Sequence, residues 1–461
     1  MLELLKMCGF EGVEAASELP RIERAFNKLG ITAGDIERGK QRLTRYYAIE
    51  LKGIREILRL LVLNTVDLVL AREEGKSKIV YGFMIPGFSV FTSALVSKSK
   101  EIHADHLCPQ FQIVLGTIFD KMSPVLEAAE SKWLKSGTVA HCGNVKGLVG
   151  LLVQDLIPRP DLLITSGVLC DTAPKSVDLL HELYGIPACC YDTCQDREVS
   201  EYSAATQRIV SMAAKGLRVV TQKIYDATGV EITDDMLQDV LDARKELDTG
   251  LGILQELMEA SDPLPISANN QILWEYMGAF TFTIDRTPQA IDAVNTLCEE
   301  LRSRASQGLG EVEKGAPRIV AMLPSHHTDP RQDYVVGELG MAIASTDRVF
   351  TASEIATPED PYERMIWDIM QGSLFHSTQR RMSMVTEGCK KLKADGLLDR
   401  YHVGCRTVTG DAFLIKEVVT RELDIPVLLQ ERDDFDTRLY DHEQFKRSLE
   451  VFKTMLHKRV G

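Results

Sequence analysis

The sequence predicts an α/β protein with two parallel-sheet domains, a helical N-terminal lead-in and a helical connector. Short β-rich runs alternate with helical ones over 77–191 and again over 318–430. Strands and helices that alternate in this way build parallel sheets covered by helices. Between these regions the apolar residues recur at helical spacing. We therefore expect four domains or segments: a lead-in at 1–75, a first α/β domain at 76–200, a connector at 201–312 and a second α/β domain at 313–461.

Each segment has its own pattern. The lead-in is rich in Leu, Ala, Glu, Lys and Arg, which are helix formers. The connector contains a predicted helix over 234–260, which Pro263 and Pro265 bring to an end. In the first α/β domain we expect strands at 77–85, 160–166 and 186–191 and helices at 112–133 and 175–184. In the second we expect strands at 318–322, 348–350, 396–403 and 426–430 and a closing helix from 443.

Composition narrows the classes of partner. The chain has 461 residues and a net charge of −14, so it lacks the basic surplus that nucleic acid or an anionic membrane requires. The first residues carry acidic groups close behind a short apolar stretch, which is unlike a secretory signal and predicts a cytoplasmic protein. The uncharged stretch 81–97 is interrupted by Gly82, Pro86 and Gly87, so we expect a buried strand, a turn and a helix start there.

Ten cysteines in such a chain are not a disulfide framework, because the cytoplasm keeps thiols reduced. Two of them follow predicted strands: Cys170 after the run 161–169 and Cys405 after the run 397–404. Ligands bind outside the carboxyl ends of the strands in open parallel sheets, so both positions favour function. Cys142 precedes Gly143 at a strand-to-helix turn, where helix-start amides favour a thiolate.

Three thiolates are too few to close a tetrahedral zinc site. They suit a cubane iron–sulfur cluster with one iron left open. The alternative for each of them is a small buried hydrophobe. The remaining seven cysteines divide into three groups. Cys189, Cys190 and Cys194 match no CxxC signature and either pack in a strand or belong to a second cluster. Cys108 could reach the same cleft. Cys8, Cys298 and Cys389 are assigned to packing.

Two stretches carry a family likeness: PRPDLLITSGVLC, which ends at Cys170, and ADGLLDRYHVGC, which ends at Cys405. With the sequence around them they resemble the subunits of the 2-hydroxyacyl-CoA dehydratase and benzoyl-CoA reductase family, over roughly 77–453. The resemblance implies flavodoxin-like domains around a [4Fe-4S] cluster held by Cys142, Cys170 and Cys405. It also implies an acyl-CoA substrate, one-electron (ketyl radical) chemistry, and a homologous second subunit or a homodimer.

The family's low-potential electron comes from a separate ATP-hydrolysing iron–sulfur activator. This chain has neither a GxxxxGK[ST] segment nor a GxGxxG segment, so ATP would have to be bound by another protein. One stretch departs from the family: the dehydratase subunits carry Pro-x-Glu-Leu where this chain reads IPGFSV at 85–90. The carboxylate expected near the substrate is therefore absent there. Dehydratase, benzoyl-CoA-reductase-like and electron-transfer roles stay open, as does a homodimeric reductase of small molecules with a double-cubane [8Fe-9S] cluster.

Several polar residues are candidates for the site. His141 adjoins Cys142 and is a candidate proton donor at the cluster or a structural histidine. The segment 325–328, Ser-His-His-Thr, follows a predicted strand and either lines the cleft or forms a surface loop. The pair Arg380 and Arg381 is a candidate for a CoA phosphate, and the acidic run 433–436 for the activator. The alternative for both is a solvated face.

Overall fold

The predicted α/β class is confirmed by two four-stranded parallel sheets. The computed structural model describes residues 1–83, 85, 87–107, 112–134, 141–168, 170–192, 204–275, 277–279, 281–322, 328–347, 350, 358–402, 405–433 and 435–457. The sequence predictions for Cys108, Cys194 and the residues 325–327 lie outside these ranges. Among the helices in the described ranges, none has both the length and the apolar sequence needed to cross a bilayer.

The lead-in is helical, as predicted. Its helices are α1 Leu2–Met7, α2 Gly12–Lys28, α3 Ala33–Tyr46 and α4 Lys52–Leu70. A capping box starts α3, where Thr32 and Asp35 satisfy each other's backbone amides. Most residues of α4 are buried, so α4 is a core helix and not a surface arm.

The first sheet has the strand order β2-β1-β3-β4, with every neighbouring pair parallel. Its elements are β1 Lys78–Phe83, α5 Phe88–Lys98, β2 Ile102–His106, α6 Ser123–Ala129, α7 Gly143–Val153, β3 Leu162–Ser166, α8 Thr172–Tyr184 and β4 Ala188–Tyr191. Two π-helical segments, Gln112–Ile118 and Glu130–Leu134, flank α6. The strand, turn and helix start expected in the stretch 81–97 are confirmed, whereas β2 was not predicted.

The connector consists of α9 Ala204–Thr228, α10 Asp234–Ala260, α11 Gln271–Glu275 and α12 Thr287–Ser306. The bounds of α10 agree with the prediction, and the Thr233 side chain caps it by accepting from the Met236 amide. Helix α12 packs against both α10 and α4. A Cβ on Gly53 of α4 would lie 2.5 Å from the Leu297 Cβ, so the two helices touch closely. The lead-in helix α4 and the connector helices α10 and α12 thus pack together, and the division into four domains stays a prediction.

The second sheet repeats the first one, with the order β6-β5-β7-β8 and parallel pairing throughout. Its elements are β5 Arg318–Met322, α13 Arg331–Glu338, β6 Ala342–Thr346, α14 Pro361–Met370, α15 Thr378–Lys391, β7 Gly396–Asp399, α16 Arg406–Thr409, α17 Ala412–Leu423, β8 Val427–Leu429 and α18 His442–His457. The second strand therefore lies before the predicted 348–350. Both sheets follow the first four strands of the flavodoxin-like order, in which ligands bind outside the carboxyl ends of the strands.

Candidate functional site

The predicted cluster cysteines occupy related places in the two sheets. Cys170 follows β3 and Cys405 follows β7, and these strands hold the same third position along the sheet order. Cys142 is the residue immediately before α7 and adopts extended backbone geometry. All three side chains are half-buried, and none of them forms a disulfide.

The three thiols share one neighbourhood. Burial raises the pKa of the Cys142 thiol well above its usual value, and the nearby carboxylate of Asp433 adds to that increase. Negative charge on Cys170 or Cys405 would raise the same pKa further, so both sulfur atoms lie within electrostatic reach of Cys142. Burial therefore keeps the Cys142 thiol protonated near pH 7 unless a nearby cation stabilises its thiolate.

The arrangement is not that of a single metal ion. Within the described ranges, no group of three or more His, Cys, Asp or Glu residues is close enough to hold one ion. In a cubane each thiolate binds a different iron, so its sulfur atoms stand further apart than ligands of one ion do. A [4Fe-4S] cubane has four irons and usually four cysteine ligands, so a cluster held by these three cysteines would have one iron without a cysteine.

The second half of the chain contacts the first at glycines near these cysteines. A Cβ on Gly87, which follows β1 at a φ of 72°, would lie 2.9 Å from the Ile369 side chain. A Cβ on Gly116 would lie 2.7 Å from the Thr328 side chain. These short distances show that the two halves of the chain pack closely at both glycines.

A third contact of this kind involves Asp433, which follows β8. The Gly143 N–H donates to Asp433 Oδ2 over 2.7 Å, and the His402 Nε2 lies 3.5 Å from the same oxygen. The Cys405 N–H in turn donates to the His402 carbonyl over 3.0 Å. One carboxylate therefore connects the turn of Cys142 with that of Cys405.

The segment after β8, which contains Asp433, also contacts the first half of the chain through a series of ion pairs. Arg438 Nη2 lies 2.8 Å from Glu130 Oε1, and the same oxygen lies 2.8 Å from Lys146 Nζ on α7. Arg438 lowers the pKa of the Glu130 carboxyl to about 2. Asp436 is 1% exposed and pairs with Arg438. The described acids of the run 433–436 thus bind within the chain. Asp436 is buried, so activator docking and a solvated face are both wrong for that residue, whereas activator docking stays a prediction for Asp433.

Arg381 is also internal. It is 2% exposed, its Nη2 lies 2.8 Å from Asp347 Oδ2, and its Nη1 lies 2.9 Å from Asp411 Oδ2. A guanidinium held by two buried carboxylates is not available to a CoA phosphate, so that reading of Arg381 is wrong. Asp399, the last residue of β7, joins this network, and burial raises the pKa of its carboxyl to about 7.

His141 lies beside Cys142, as the sequence requires, and its Nδ1 has no hydrogen-bond partner among the described residues. Burial lowers the pKa of its imidazole, and the positive charges of Lys146 and Lys175 lower it further. The ring is therefore neutral near pH 7. Its role as proton donor stays a prediction.

The other described cysteines separate into two kinds. Cys8, Cys298 and Cys389 are at most 2% exposed, which confirms that they pack in the core. Cys189 and Cys190 are successive residues of β4, with Cys189 half-buried against an apolar cluster and Cys190 exposed. Successive strand residues point to opposite faces, so the two thiols do not face one common group.

Comparison with known proteins agrees with this architecture. Residues 102–456 match the family model described as "2-hydroxyglutaryl-CoA dehydratase, D-component". The chain is also 21% identical over 342 residues to one of the subunits of benzoyl-CoA reductase from Thauera aromatica, an alignment that covers 69% of this chain and 78% of that protein. The chain therefore belongs to the 2-hydroxyglutaryl-CoA dehydratase D-component family and is part of an enzyme of the dehydratase or reductase type.

Proposed function

We propose that the chain is a cytoplasmic iron–sulfur subunit of an acyl-CoA dehydratase or an aromatic acyl-CoA reductase, with a [4Fe-4S] cluster bound by Cys142, Cys170 and Cys405. The observation that carries this proposal is that Cys170 and Cys405 follow corresponding strands of the two parallel sheets, each within electrostatic reach of Cys142 at the start of α7. Family membership supports an acyl-CoA substrate and an enzyme that is homodimeric or has several subunits.

When bound, such a cluster supplies single electrons at low potential and an iron open to a further ligand. The protein's part is to hold and shield it. The three cysteines would hold the cluster, and the two halves of the chain also pack closely where Gly87 meets Ile369 and Gly116 meets Thr328. The neutral His141 can accept or hold a proton beside Cys142. ATP-dependent electron supply is assigned to a separate activator protein.

The reductase branch has one specific observation in its favour. The turn after β1 leads through Gly87 into Phe88 and Ser89, and the described residues of this turn, 85 and 87–90, offer no carboxylate to a substrate. The relative named above is part of a benzoyl-CoA reductase, whereas the family model is named after a dehydratase. A role in relaying electrons to a partner subunit remains the second candidate.

The test is anaerobic purification followed by counting iron and acid-labile sulfide per chain. We expect about four of each, the content of one cubane. Replacing Cys142, Cys170 or Cys405 by alanine should remove most of both, whereas Cys298→Ala is a matched control, because that thiol is buried in the core. Protein without iron, or iron that survives all three substitutions, would contradict the proposal. Turnover of 2-hydroxyacyl-CoA against benzoyl-CoA, with the activator present, then separates the two reactions.

A further inference from the structure

The loop after β8 is attached to the start of α7, where Cys142 lies, and to the turn of Cys405. We call residues 431–438 the clamp loop; Asp434 lies outside its described part. We propose that the clamp loop, through Asp433, is the positioning element that sets the separation of Cys142 from Cys405. This inference rests on the proposed cluster, since that separation matters for function only if both thiolates hold one group.

On the side of Cys142, the carboxylate of Asp433 binds with both oxygens. Oδ2 accepts from the Gly143 N–H over 2.7 Å, and Oδ1 accepts from the Phe435 N–H over 2.9 Å. The first bond satisfies an amide at the N-terminus of α7, which has no partner within the helix. The second bond fixes the carboxylate to its own loop. Asp433 therefore holds the helix start from a rigid support that is 290 positions away in sequence.

On the side of Cys405, the clamp loop pairs with the segment that leads into the cysteine. The Arg432 N–H donates to the Tyr401 carbonyl over 3.0 Å, and His402 forms a parallel bridge with Arg432. The Cys405 N–H donates to the His402 carbonyl over 3.0 Å. The clamp loop thus forms backbone hydrogen bonds with the segment before Cys405, whereas its hydrogen bond to the turn of Cys142 comes from the Asp433 side chain.

The contact at Gly143 leaves no room for a side chain. A Cβ there would lie 2.7 Å from the backbone carbon of Phe435 and 2.9 Å from Asp433 Oδ1. Because the first of these atoms belongs to the backbone, a substitution would have to push the clamp loop away. One turn further along α7, a Cβ on Gly147 would meet only the terminal methyl of Met122, at 3.4 Å. The two glycines form a matched pair on one helix.

The clamp loop has a second attachment, from Arg438 through Glu130 to Lys146. This ion-pair chain holds the loop against the side of α7 without touching its first residue. Loss of the Asp433 carboxylate should therefore leave the loop docked and release only the turn of Cys142. For this reason Asp433→Ala is expected to fold, and it tests positioning separately from the overall contact of the two halves.

The experiment compares wild-type holoprotein with Gly143→Ala, Gly147→Ala, Asp433→Ala and Asp433→Asn. Iron retained against a chelator is measured beside hydrogen–deuterium exchange of the peptide that contains Gly143. We expect Gly143→Ala and Asp433→Ala to weaken iron retention by about tenfold or more, as loss of a partner behind the metal ligands does. The same two variants should exchange faster at this peptide. Gly147→Ala should match the wild type, and Asp433→Asn should retain iron, because its amide oxygen can still accept from Gly143.

Wild-type iron retention and exchange in both Gly143→Ala and Asp433→Ala would overturn the proposal. Equal loss of iron in Asp433→Asn and Asp433→Ala would also overturn the proposal. The negative charge of Asp433, and not its hydrogen bond to Gly143, would then be what retains iron. If the wild type itself holds no iron, the proposed function fails, and the inference is tested by crosslinking Cys142 to Cys405 with a bifunctional thiol reagent. Asp433→Ala should then lower the crosslinking yield several-fold relative to Gly147→Ala, and an unchanged yield would refute positioning by Asp433.

Discussion

The two sheets share one strand order, but they are stabilised differently beside the candidate site. In the first half, backbone approaches tightly at glycines: a Cβ on Gly150 of α7 would lie 1.9 Å from the Val125 carbonyl oxygen. In the second half, buried ion pairs dominate, as between Arg381 and its two aspartates and between Arg400 and Asp333. These contacts illustrate a steric and an electrostatic solution to close packing, and tight approach at glycines also occurs in the second half, where a Cβ on Gly388 would lie 2.4 Å from the Phe350 ring.

The largest expected loss of stability comes from removing the arginine of the buried ion pairs in the second half. Arg381→Met would leave Asp347, Asp399 and Asp411 buried without their shared cation. Removing one partner of a buried ion pair typically costs about 3–5 kcal/mol, because the remaining charge stays desolvated. We expect a loss of this size in the free energy of unfolding by urea. Arg421→Met on the exposed face of α17 is the control, with an expected change within about 0.5 kcal/mol. Equal stability of both variants would contradict the electrostatic account.

The next effect is a pH dependence of stability that arises from a buried carboxyl in the second half. Burial raises the pKa of the Asp399 carboxyl from 3.8 to about 7. The folded state therefore binds this proton more tightly than the unfolded state, and stability is lost as pH rises from about 4 to about 7. At about 1.36 kcal/mol per pKa unit, the loss amounts to at most about 4 kcal/mol. Asp399→Asn should remove it, so the variant gains on the wild type at pH 8 but not at pH 4.5.

Urea unfolding of Asp399→Asn and wild type at both pH values measures this difference. Ser166 ends β3 as Asp399 ends β7, and it has no charge to titrate. Ser166→Ala is therefore the control, and its stability difference from the wild type should be the same at both pH values. A parallel pH profile of wild type and Asp399→Asn would mean that the carboxyl is ionised in the folded protein.

Disrupting the close contact at Gly150 in the first half should lower the free energy of unfolding by a smaller amount. In Gly150→Ala the new methyl group meets the Val125 backbone, which cannot move aside as a flexible side chain would. Overpacking of this kind typically costs about 1–3 kcal/mol. Gly252→Ala in α10 is the matched control, because no atom lies within 4 Å of its Cβ position and alanine favours the helix by about 1 kcal/mol. Thermal unfolding should move in opposite directions for the two variants, and a stabilised Gly150→Ala would refute the close contact.

The last prediction is that iron content does not change when the two cysteines of β4 are replaced. This result distinguishes one cubane from two. Cys189 and Cys190 are successive residues of β4 and point to opposite faces of the strand. They cannot therefore contribute jointly to a double cubane. The double variant Cys189→Ser with Cys190→Ser should keep the wild-type iron content in anaerobically purified protein. A halved iron content would instead support the [8Fe-9S] alternative.

Local signals explain which parts of the fold could be predicted. The bounds of α10 were right because Thr233 caps the helix and Pro263 follows it, and both signals lie in the sequence itself. Strand β2 was missed because it contains His103 and Asp105, which are polar yet buried. Strand β6, Ala342–Thr346, is made mostly of small residues and lacks the β-branched pattern of an obvious strand.

The candidate site was predictable only in part. The positions of Cys170 and Cys405 followed from the strands before them, and that of Cys142 from the helix after it. The burial of Arg381 and the contact of Asp433 with Gly143 did not follow from any local pattern. Their partners lie far away in sequence: Asp347 and Asp411 for Arg381, and Gly143 for Asp433. Charged residues are usually exposed, so only the tertiary structure shows that these two are internal.

The central claim is that three cysteines from both halves hold one cubane and leave one of its irons without a cysteine. Mössbauer spectroscopy of anaerobic protein reconstituted with iron-57 tests it most directly. The account predicts one iron site that differs from the other three and that changes when an acyl-CoA thioester is added. Four equivalent irons, unchanged by the thioester, would mean a closed cluster and would contradict the account.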